Sequence, residues 1–425
     1  MLCFITYNLK LNHMKQSQSF THTLKESPKD EVSLNAQLLI RAGYIYKEMA
    51  GVYSFLPLGL RVLNKIENII REEMNAIGGT EMKTSIFQNK EVWKKSNRWD
   101  DKVVDNWFKT KLKNGTEVGL SFTNEEAYSN ILKQYINSYK DLPVYPYDFK
   151  TIFRNEIRSK SGILRGREFY WKALYSFSRT QEEHDEFYEK SKGAYLKIFS
   201  RCGLKDITYL TFASGESFSK YSHEFQTLTA FGEDIIYVDK KKKIAVNKEV
   251  YNDEVLENLG LNKKDLIEEK AVEVGNIFSL GTKFSEPFDL KYTNKEGQRK
   301  AVIMGSYGIG LGRLMGTVAE SYNDKNGLIW PEAVAPYKVH LLDLRKKQDD
   351  NLYQILQNNG IEVIYDDREV NPGMKLKDAD LMGMPYRLVL SDKLGDKVEL
   401  KRRDSEDISL YTKKELVEIL KGNYK

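Results

Sequence analysis

The chain has 425 residues, of which 41% are hydrophobic, so it can bury a large core, and its length suggests two or three domains. No stretch approaches the roughly 18 consecutive apolar residues that a membrane-spanning helix needs, which excludes a membrane protein. The net charge of +5 permits a polyanionic partner without requiring one. The cysteines Cys3 and Cys202 are too few for a disulfide scaffold or a multi-cysteine zinc site, and they favour the cytoplasm.

The first part of the chain predicts two helices after a polar segment. Residues 1–13 lack the charged start, long apolar stretch and cleavage site of a secretory signal. Residues 34–50 and 58–77 have apolar residues at helical spacing, and two glycines stop the second helix. The second helix carries one long apolar stripe, formed by Val62, Ile66, Ile69, Ile70, Met74 and Ile77. This stripe needs a partner, which is either the core of its own domain or another chain.

Residues 148–178 are the most informative segment and predict an antiparallel β-hairpin. Residues two apart on a strand share a face, so a polar face in the first strand meets an apolar face in the second. These residues are Arg154, Glu156 and Arg158 in the first half, and Phe169, Trp171 and Ala173 in the second. A basic turn at residues 159–166, which contains glycine, joins the halves. A guanidinium, a carboxylate and a flat ring could hold a nucleotide, although an amphipathic hairpin with a solvated charged face gives the same pattern.

The rest of the chain predicts a helix, a strand-to-helix junction and a second domain. Thr180 begins a capping-box pattern, so a helix is expected over residues 180–202. Residues 301–308 predict a strand that leads into a helix carrying Arg313, and the glycines there would let the backbone approach a ligand closely. Residues 323–336 mark a domain boundary, beyond which strands alternate with helices as in a small α/β domain.

Several segments, in chain order, resemble the motifs of the class II aminoacyl-tRNA synthetases, and within them the prolyl-tRNA synthetase branch. FRNE followed by RGREFYWKALYSF is similar to motif 2, and residues 42–79 are similar to the motif 1 region. SFTNEEA is similar to the proline-binding loop, and SKYSHEF, EVGNIFSLGTKFS and GSYGIGLGRL follow in the family's order. This agreement covers roughly residues 14–425. It is far more specific than the last string alone, whose glycines could be misread as a dinucleotide fingerprint.

The resemblance implies a fold of two domains. An α+β catalytic domain with a mostly antiparallel sheet is expected over residues 14–332, and a C-terminal α/β anticodon-binding domain over residues 333–425. Motif 1 would lie at about 42–86, motif 2 at about 148–178 and motif 3 at about 301–321. The segment from Met14 resembles the usual start of the family, so residues 1–13 are predicted to be an upstream extension, with Met1 and Met14 both open as start codons. Motif 1 helices of this class build a dimer interface, so a cytoplasmic homodimer is expected.

The resemblance also implies the reaction and its residues. ATP and L-proline would form prolyl-adenylate, and the prolyl group would then pass to the 3′-end of tRNA(Pro). Arg154 would bridge the proline carboxylate and the α-phosphate, while Arg313 would cover adenine and reach the γ-phosphate, so both are expected to be catalytic. Further ATP contacts are expected from Glu156, Arg165, Phe169 and Glu273. Glu273 is also a candidate Mg²⁺ ligand, although an ordinary exposed strand carboxylate is an equal alternative.

The family's proline pocket has counterparts here. Thr123 and Glu125 would accept both imino protons, Trp171 would form a flat wall beside Arg154, and His223 would lie at the rim. Threonyl relatives hold a zinc ion through one Cys and two His, and the histidines here lack ligand spacing, so no zinc is expected. In the C-terminal domain the residues expected to contact the anticodon are Arg368, Lys375, Glu399 and Arg402. A solvated charge cluster is the alternative for that set.

The chain departs from the family's usual residues at five positions, which bear on efficiency. They are Ser85 for a proline, Asn97 for a glycine, Asn124 for a histidine, Ala173 for an aspartate and Asn276 for a histidine. Too few residues separate motifs 2 and 3 to hold a hydrolytic editing domain, so no editing in cis is expected. The main alternative is a catalytically inactive synthetase-like protein that binds RNA or regulates. A Rossmann oxidoreductase is disfavoured because its glycines would lie too late in the chain.

Overall fold

The computed structural model describes residues 14–157, 161–215 and 219–423. The predicted upstream extension at residues 1–13 and Arg158, which was predicted on the first strand of the hairpin, therefore lie outside the described residues. Within the described part of the chain, no helix is both long enough and apolar enough to cross a membrane.

The described residues form ten α-helices and 24 β-strands. The helices are α1 Leu34–Arg41, α2 Pro57–Ala76, α3 Lys90–Lys95, α4 Glu125–Leu132, α5 Gln181–Arg201, α6 Asp253–Asn258, α7 Leu311–Ser321, α8 Asn351–Asn358, α9 Pro372–Met382 and α10 Lys413–Leu420. The strands are β1 Met14–Lys15, β2 Ile45–Met49, β3 Val52–Phe55, β4 Thr80–Glu81, β5 Phe87–Asn89, β6 Lys109–Lys111, β7 Glu117–Leu120, β8 Pro146–Phe153, β9 Glu168–Ser178, β10 Thr208–Ser214, β11 Tyr221–Leu228, β12 Asp234–Asp239, β13 Ile244–Asn247, β14 Ile267–Gly281, β15 Lys291–Thr293, β16 Arg299–Ala301, β17 Ile303–Gly310, β18 Asn323–Asp324, β19 Gly327–Leu328, β20 Val339–Asp343, β21 Val363–Asp366, β22 Tyr386–Leu390, β23 Lys397–Arg402 and β24 Ile408–Thr412.

A nine-stranded sheet organises the first domain, in the order β11-β10-β13-β12-β14-β17-β9-β8-β4. Its pairs are antiparallel except β10 with β13 and β4 with β8, which confirms the predicted mostly antiparallel sheet. Helices α2, α5 and α7 pack on one face of this sheet through the main hydrophobic core. The opposite face carries a smaller core and the polar side chains of the candidate site.

Helix α2 forms where the sequence predicts it, with Pro57 in its first turn. The core of the chain itself buries the apolar stripe, for example Ile66 and Ile70, which are fully buried. Of the two possible partners, its own domain or another chain, the stripe packs against its own domain. The preceding helix is shorter than predicted, because Gly43 takes a positive φ of 76° after α1 and the chain then forms the β2–β3 hairpin. The helical prediction for residues 45–50 is wrong.

The hairpin of β8 and β9 is antiparallel, as predicted, and pairs Tyr147 with Leu174 through to Phe153 with Glu168. Strand β8 ends at Phe153, however, so Arg154 and Glu156 lie just beyond the strand rather than on it. The Arg154 N–H still donates to the carbonyl of Arg167 at 2.9 Å, which keeps this corner attached to the other strand.

The C-terminal domain is a six-stranded sheet in the order β1-β21-β20-β22-β23-β24. Strands β20, β21 and β22 are parallel, whereas β23 and β24 are antiparallel additions. The sequence predicted the α/β alternation but not β24 and α10. The edge strand β1 comes from the other end of the chain, since Met14 pairs with Ile364 and Lys15 with Tyr365. The first described residues thus add to the second domain's sheet, although the sequence assigned them to the first.

Candidate active site

A cavity of about 250 Å³ opens on the sheet face opposite helix α5. Successive side chains on a strand point to opposite faces, so alternate residues of β8, β9, β14 and β17 reach it. Its lining residues are Arg98, Phe122, Thr123, Asn124, Glu125, Ile152, Arg154, Trp171, Ala173, Tyr175, Glu224, Glu273, Asn276, Phe278 and Ser306. Thr123, Glu125, Trp171 and Arg154, which the sequence predicted as one pocket, therefore meet here.

The floor of the cavity is a buried carboxylate held in a hydrogen-bonded turn. Glu125 begins helix α4 and is 4% exposed. The Thr123 hydroxyl donates to its Oε2 at 2.6 Å, and the Tyr175 hydroxyl donates to its Oε1 at 3.2 Å. Arg98 donates from Nη1 to Oε2 at 3.4 Å. This turn presents a negative charge to the cavity with a neighbouring hydroxyl, an arrangement that suits a small cationic amine.

Arg98 and Tyr175 are cavity residues that sequence reasoning missed. Tyr175 lies two residues after Ala173, so the strand periodicity already used for Trp171 and Ala173 could have found it. Arg98 follows Asn97, one of the positions that departs from the family pattern, but its side chain reaches Glu125 only through the fold. Three of the five departures, at Asn124, Ala173 and Asn276, line this same cavity.

A second cavity of about 230 Å³ adjoins the first and shares Arg154, Trp171 and Glu273 with it. It lies between the β8–β9 turn and the start of helix α7. Its other lining residues are Glu156, Ile163, Leu164, Arg165, Gly166, Phe169, Gly310 and Arg313. Three arginines from two distant segments, together with Phe169 and Glu156, thus converge on one cleft.

Arg154 lies at the junction of the two cavities. Its guanidinium carbon is 5.2 Å from the ring centre of Phe122 and 5.5 Å from that of Phe169. Burial lowers the pKa of Arg154, and the positive charge of Arg313 contributes to the same shift. Its buried Nε has no hydrogen-bond partner within the described part of the chain. A desolvated guanidinium with an unused donor is suited to binding an anion.

Arg313 lies in the first turn of α7 and is fixed by three hydrogen bonds. Nε donates to the carbonyl of Leu164 at 2.8 Å, and Nη1 donates to the carbonyl and to Oε2 of Glu273 at 2.8 and 3.1 Å. The Leu164 contact ties motif 3 to the motif 2 turn. The nearby Gly308 accommodates Trp171, because a Cβ at Gly308 would lie 2.1 Å from Cζ2 of that ring. This glycine thus makes room for a neighbouring side chain, whereas Gly310 of the same junction lines the second cavity.

Arg165 closes the outer end of the second cavity. It donates to Glu156 Oε2 at 3.1 Å and to Glu233 Oε2 at 3.4 Å, and its side chain is 49% exposed. A phosphate chain that bound the half-exposed Arg165 would compete with these two carboxylate contacts. Surface ion pairs of this kind contribute little, so the competition costs about 0–1 kcal/mol each.

Two carboxylates, Glu224 and Glu273, lie side by side along the cavities. Glu273 accepts from Asn276 Nδ2 at 2.7 Å in addition to Arg313. Burial, with the negative charge of Glu273, raises the pKa of Glu224 to about 8. Among the described residues, no group of three or more Asp, Glu, His or Cys side chains is placed to hold a metal ion. A metal here would therefore need further ligands from water or from a bound phosphate.

His223 does not lie at the pocket rim, so that prediction is corrected. Its Nδ1 is 3.0 Å from the Tyr188 hydroxyl of helix α5, and burial lowers its pKa to about 3. Since adjacent strand residues face opposite sides of the sheet, the next residue, Glu224, lines the cavity instead. The sequence identified the correct segment but the wrong residue within it.

Only two of the four anticodon candidates, Arg368 and Lys375, line a basic cleft of about 560 Å³. The cleft lies at the carboxyl ends of β20 and β21 and is lined by Arg345, Lys346, Lys347, Arg368 and Lys375, among others. Arg368 is held by Asp366 at 2.7 Å and Asp378 at 2.8 Å. Lys375 is 1% exposed, and its Nζ donates to the carbonyls of Asp343 and Asp366, both at 2.9 Å. Lys375 thus braces the strand ends instead of presenting its charge to a ligand, contrary to prediction.

Glu399 and Arg402 do not share one site. On β23, Glu399 pairs with Val389 and Arg402 with Tyr386, so Arg402 lies at the opposite end of the parallel strands from the cleft. The two residues are three apart and point to opposite faces. Arg402 is bound by Asp404 at 2.7 Å. The predicted four-residue cluster therefore separates, and of its members Arg368 keeps a guanidinium at the cleft.

Comparison with known proteins agrees with this geometry. The model of the tRNA synthetase class II core domain (G, H, P, S and T) matches residues 108–322, and that of the anticodon binding domain matches residues 334–423. A proline-tRNA ligase of Caulobacter vibrioides is 36% identical, with 89% of this chain and 92% of that protein covered. One of Thermosipho melanesiensis is 32% identical, with coverage of 92% and 96%, over an alignment of 542 positions, so it has segments that this chain lacks.

Among solved structures, prolyl-tRNA synthetase from Cryptosporidium parvum, complexed with halofuginone and AMPPNP, superposes with a TM-score of 0.75. It is 17% identical, with 92% of this chain and 77% of that chain covered, so the likeness supports the fold. The family assignment rests on the core-domain match and on the curated relatives, whose length this chain covers almost completely. The chain belongs to the class II aminoacyl-tRNA synthetases and, within them, to the proline-tRNA ligase family.

Proposed function

We propose that the protein is a proline-tRNA ligase, which activates L-proline with ATP to prolyl-adenylate and transfers the prolyl group to the 3′-end of tRNA(Pro). The observation that carries this proposal is the meeting of two cavities at Arg154. One cavity has a buried carboxylate suited to a cationic amine, and the other has arginines and an aromatic ring suited to a nucleotide.

In the first step a proline carboxylate oxygen attacks the α-phosphorus of ATP, and pyrophosphate leaves. The carboxylate is already ionised at pH 7, so no general base is needed. The barrier lies in aligning two anions and neutralising the charge that develops on the phosphate. Arg154 is the residue proposed for this role, because its guanidinium borders both cavities and its Nε lacks a protein partner.

The nucleotide would occupy the second cavity. Phe169 would stack on one face of adenine and Arg313 on the other, while Glu156 would accept from the adenine amino group and Arg165 would bind the outer phosphates. The three hydrogen bonds of Arg313 support this role, since they hold the guanidinium in place before ATP arrives. A preorganised cation stabilises developing charge without reorganisation at the moment of reaction.

Proline would occupy the first cavity with its secondary ammonium against Glu125 and Thr123. Both groups are fixed by the hydrogen bonds of the turn, and the Glu125 carboxylate supplies the opposite charge. Trp171 offers an apolar wall for the pyrrolidine ring, because its indole lines the cavity and packs against Gly308 and Gly310 of strand β17. We assign no substrate contact to His223.

Mg²⁺ would be held by oxygen ligands beside these two cavities. Glu273 lines both cavities and Glu224 lines the proline cavity, and Mg²⁺ commonly takes one or two carboxylates with phosphate oxygens and water. When bound, the ion would supply positive charge at the phosphates. Glu224 must be ionised to contribute, so its raised pKa predicts weaker metal binding below about pH 8. No zinc is proposed, since the residues at the proline cavity supply carboxylate and amide groups rather than Cys and His.

The second step would place the 3′-end of tRNA over the adenylate while the C-terminal domain contacts the anticodon. The basic cleft at the ends of β20 and β21 is the proposed contact surface, with Arg368 as its fixed guanidinium. We further propose a cytoplasmic homodimer formed through motif 1. The exposed apolar side chains of Tyr46, Met49 and Phe87 in this region support the dimer.

Editing in cis is not part of the proposed activity. The described residues between β9 and β17 form α5, five strands of the catalytic sheet and short additional elements. Alanine lacks methylene groups of proline, and a pocket discriminates by only about 1–3 kcal/mol per missing methylene. Alanyl-tRNA made by the enzyme should therefore persist in vitro. Rapid deacylation of alanyl-tRNA(Pro) by the purified protein would contradict this.

The direct test is proline-dependent exchange of pyrophosphate into ATP, followed by charging of tRNA(Pro). The proposal predicts both activities, with proline preferred over every other amino acid. The competing candidate is an inactive synthetase-like RNA-binding or regulatory protein, which the three departures lining the proline cavity favour. That candidate predicts tRNA binding without exchange for any amino acid.

A further inference from the structure

A buried ammonium lies directly beneath the proline cavity. Lys150 is 2% exposed, and its Nζ donates to three oxygens: Thr84 Oγ1 at 2.8 Å, the Ser85 carbonyl at 3.0 Å and Asn124 Oδ1 at 3.0 Å. An ammonium has three protons, so each acceptor is matched by one donor. Burying such a charge is costly unless its hydrogen bonds are satisfied, which makes this arrangement a constraint on all three partners.

Strand periodicity places this lysine in line with the site. Lys150, Ile152 and Arg154 are two residues apart, and the latter two line the cavity. Asp148, two residues earlier, accepts from the N–H of Thr84 at 3.2 Å and from its hydroxyl. Both side chains therefore form hydrogen bonds with Thr84. These bonds attach the segment that follows helix α2 of motif 1 to strand β8.

The link to the substrate runs through Asn124. This residue is 1% exposed, lines the cavity and lies between Thr123 and Glu125. Its backbone N–H donates to the Tyr175 hydroxyl at 3.2 Å, and its Oδ1 accepts a hydrogen bond from Lys150 Nζ. Fixing the Asn124 side chain therefore fixes the turn on which Thr123 and Glu125 are presented.

We infer that Lys150 is a positioning residue for the imino acid. It donates a hydrogen bond to Asn124 and thereby fixes the conformation of the Thr123–Glu125 turn. The inference rests on the proposed function, because it assigns a role within the proline pocket. Lys150 lines neither cavity, so it would touch neither proline nor ATP. Its loss should therefore weaken proline binding while leaving the nucleotide cavity, on the other side of Arg154, unchanged.

The same geometry predicts a pH dependence. Burial lowers the pKa of Lys150 to about 8, Asp148 opposes this shift and Lys83 adds to it. The nearby Tyr128 on α4 has its pKa raised by burial, so it stays neutral through this range. Above pH 8 the amine loses one proton, and one of its three oxygen acceptors loses its donor. The KM for proline should therefore rise as pH increases through about 8.

The test compares Lys150→Met with wild type in pyrophosphate exchange, varying proline and ATP separately. We expect the proline KM to rise about tenfold, the effect of losing one hydrogen bond to a charged group, with the ATP KM unchanged. The matched control is Lys172→Met, which removes another buried lysine from the opposite face of the same sheet, where it contacts Tyr195 and the Tyr307 carbonyl. This control should leave the proline KM unchanged.

Two further measurements separate positioning from general damage. If Lys150 acts through Asn124, Lys150→Met combined with Asn124→Ala should raise the proline KM no further than the larger single effect. Glu224 lines the same cavity and has a pKa of about 8, so the two proteins are compared over the same pH range. The KM for proline should rise more steeply between pH 7 and 9 in wild type than in Lys150→Met. An unchanged proline KM in Lys150→Met, or identical pH profiles in the two proteins, overturns the inference. Absence of exchange in the wild type would instead refute the proposed function.

Discussion

Replacement of Glu125 by glutamine isolates the charge at the floor of the proline cavity. The substitution keeps the side-chain size but turns one accepting oxygen into a donating NH₂ group. That group can no longer accept from the Thr123 or Tyr175 hydroxyl, which now lie 2.6 and 3.2 Å from the two carboxylate oxygens. The bound secondary ammonium also loses its ionic partner.

The expected magnitude follows from that lost partner. A hydrogen bond to a charged group contributes about 1.5–3 kcal/mol, and each ~1.4 kcal/mol changes affinity tenfold. The proline KM of Glu125→Gln should therefore rise about 10- to 150-fold in pyrophosphate exchange, with little change in the ATP KM. A proline KM within about twofold of wild type, in a protein that unfolds at the wild-type temperature, would show that Glu125 is not the ionic partner of the proline ammonium.

The adjacent residue provides a matched control. Glu126 is also a buried carboxylate of the same helical turn, but it does not line the cavity. It accepts from Ser96 at 2.8 Å and, at 2.9 Å, from Arg98, which also donates to Glu125. Burial raises its pKa. Glu126→Gln should alter thermal stability much more than proline affinity. The contrast between the two variants separates substrate recognition from loss of structure.

Three other predictions concern the nucleotide cavity, the acidic pair and the anticodon cleft. Asn35→Ala should lower the free energy of unfolding, measured by chemical denaturation, by about 1–3 kcal/mol and should raise the ATP KM. The reason is that buried Asn35 accepts from the Ile163 N–H and donates to Glu320, and so joins the motif 2 turn to α7. Because the folded-state pKa of Glu224 is raised, the folded protein binds more protons between pH 4.5 and 8, so stability falls as pH rises. Glu224→Gln should flatten Tm across that window. Arg368→Ala should lower kcat/KM for tRNA charging about tenfold or more, whereas Arg402→Ala, at the other end of the sheet, should change it far less.

The sequence predicted the local elements of the catalytic domain well where the hydrophobic periodicity agreed with the residues that begin or end an element. The apolar stripe of α2 and the hairpin of β8 and β9 are examples, because each spacing has one low-energy way to be buried. The helix over residues 45–50 was wrong, since IYKEM fits either a helix or a strand in isolation. Its β2–β3 pairing depends on the turn at Gly51, which the helical reading ignored.

Site residues were predicted when they followed a strand alternation and missed when they depended on tertiary contacts. Trp171 and Arg154 were found in this way, whereas Arg98 comes from another segment and meets Glu125 only in the folded chain. His223 was predicted in place of Glu224 because a resemblance identifies a segment, while the sheet face decides which neighbour reaches the cavity. Lys375 was misassigned because its charge suggested exposure, although two strand-end carbonyls bind it in the interior.

Pyrophosphate exchange by Arg154→Met tests whether one guanidinium serves both the imino acid and the triphosphate. We expect a folded protein whose proline-dependent exchange falls about 100- to 1,000-fold, the usual effect of removing a group that stabilises developing charge. Exchange near the wild-type rate in this variant would show that Arg154 does not have this role.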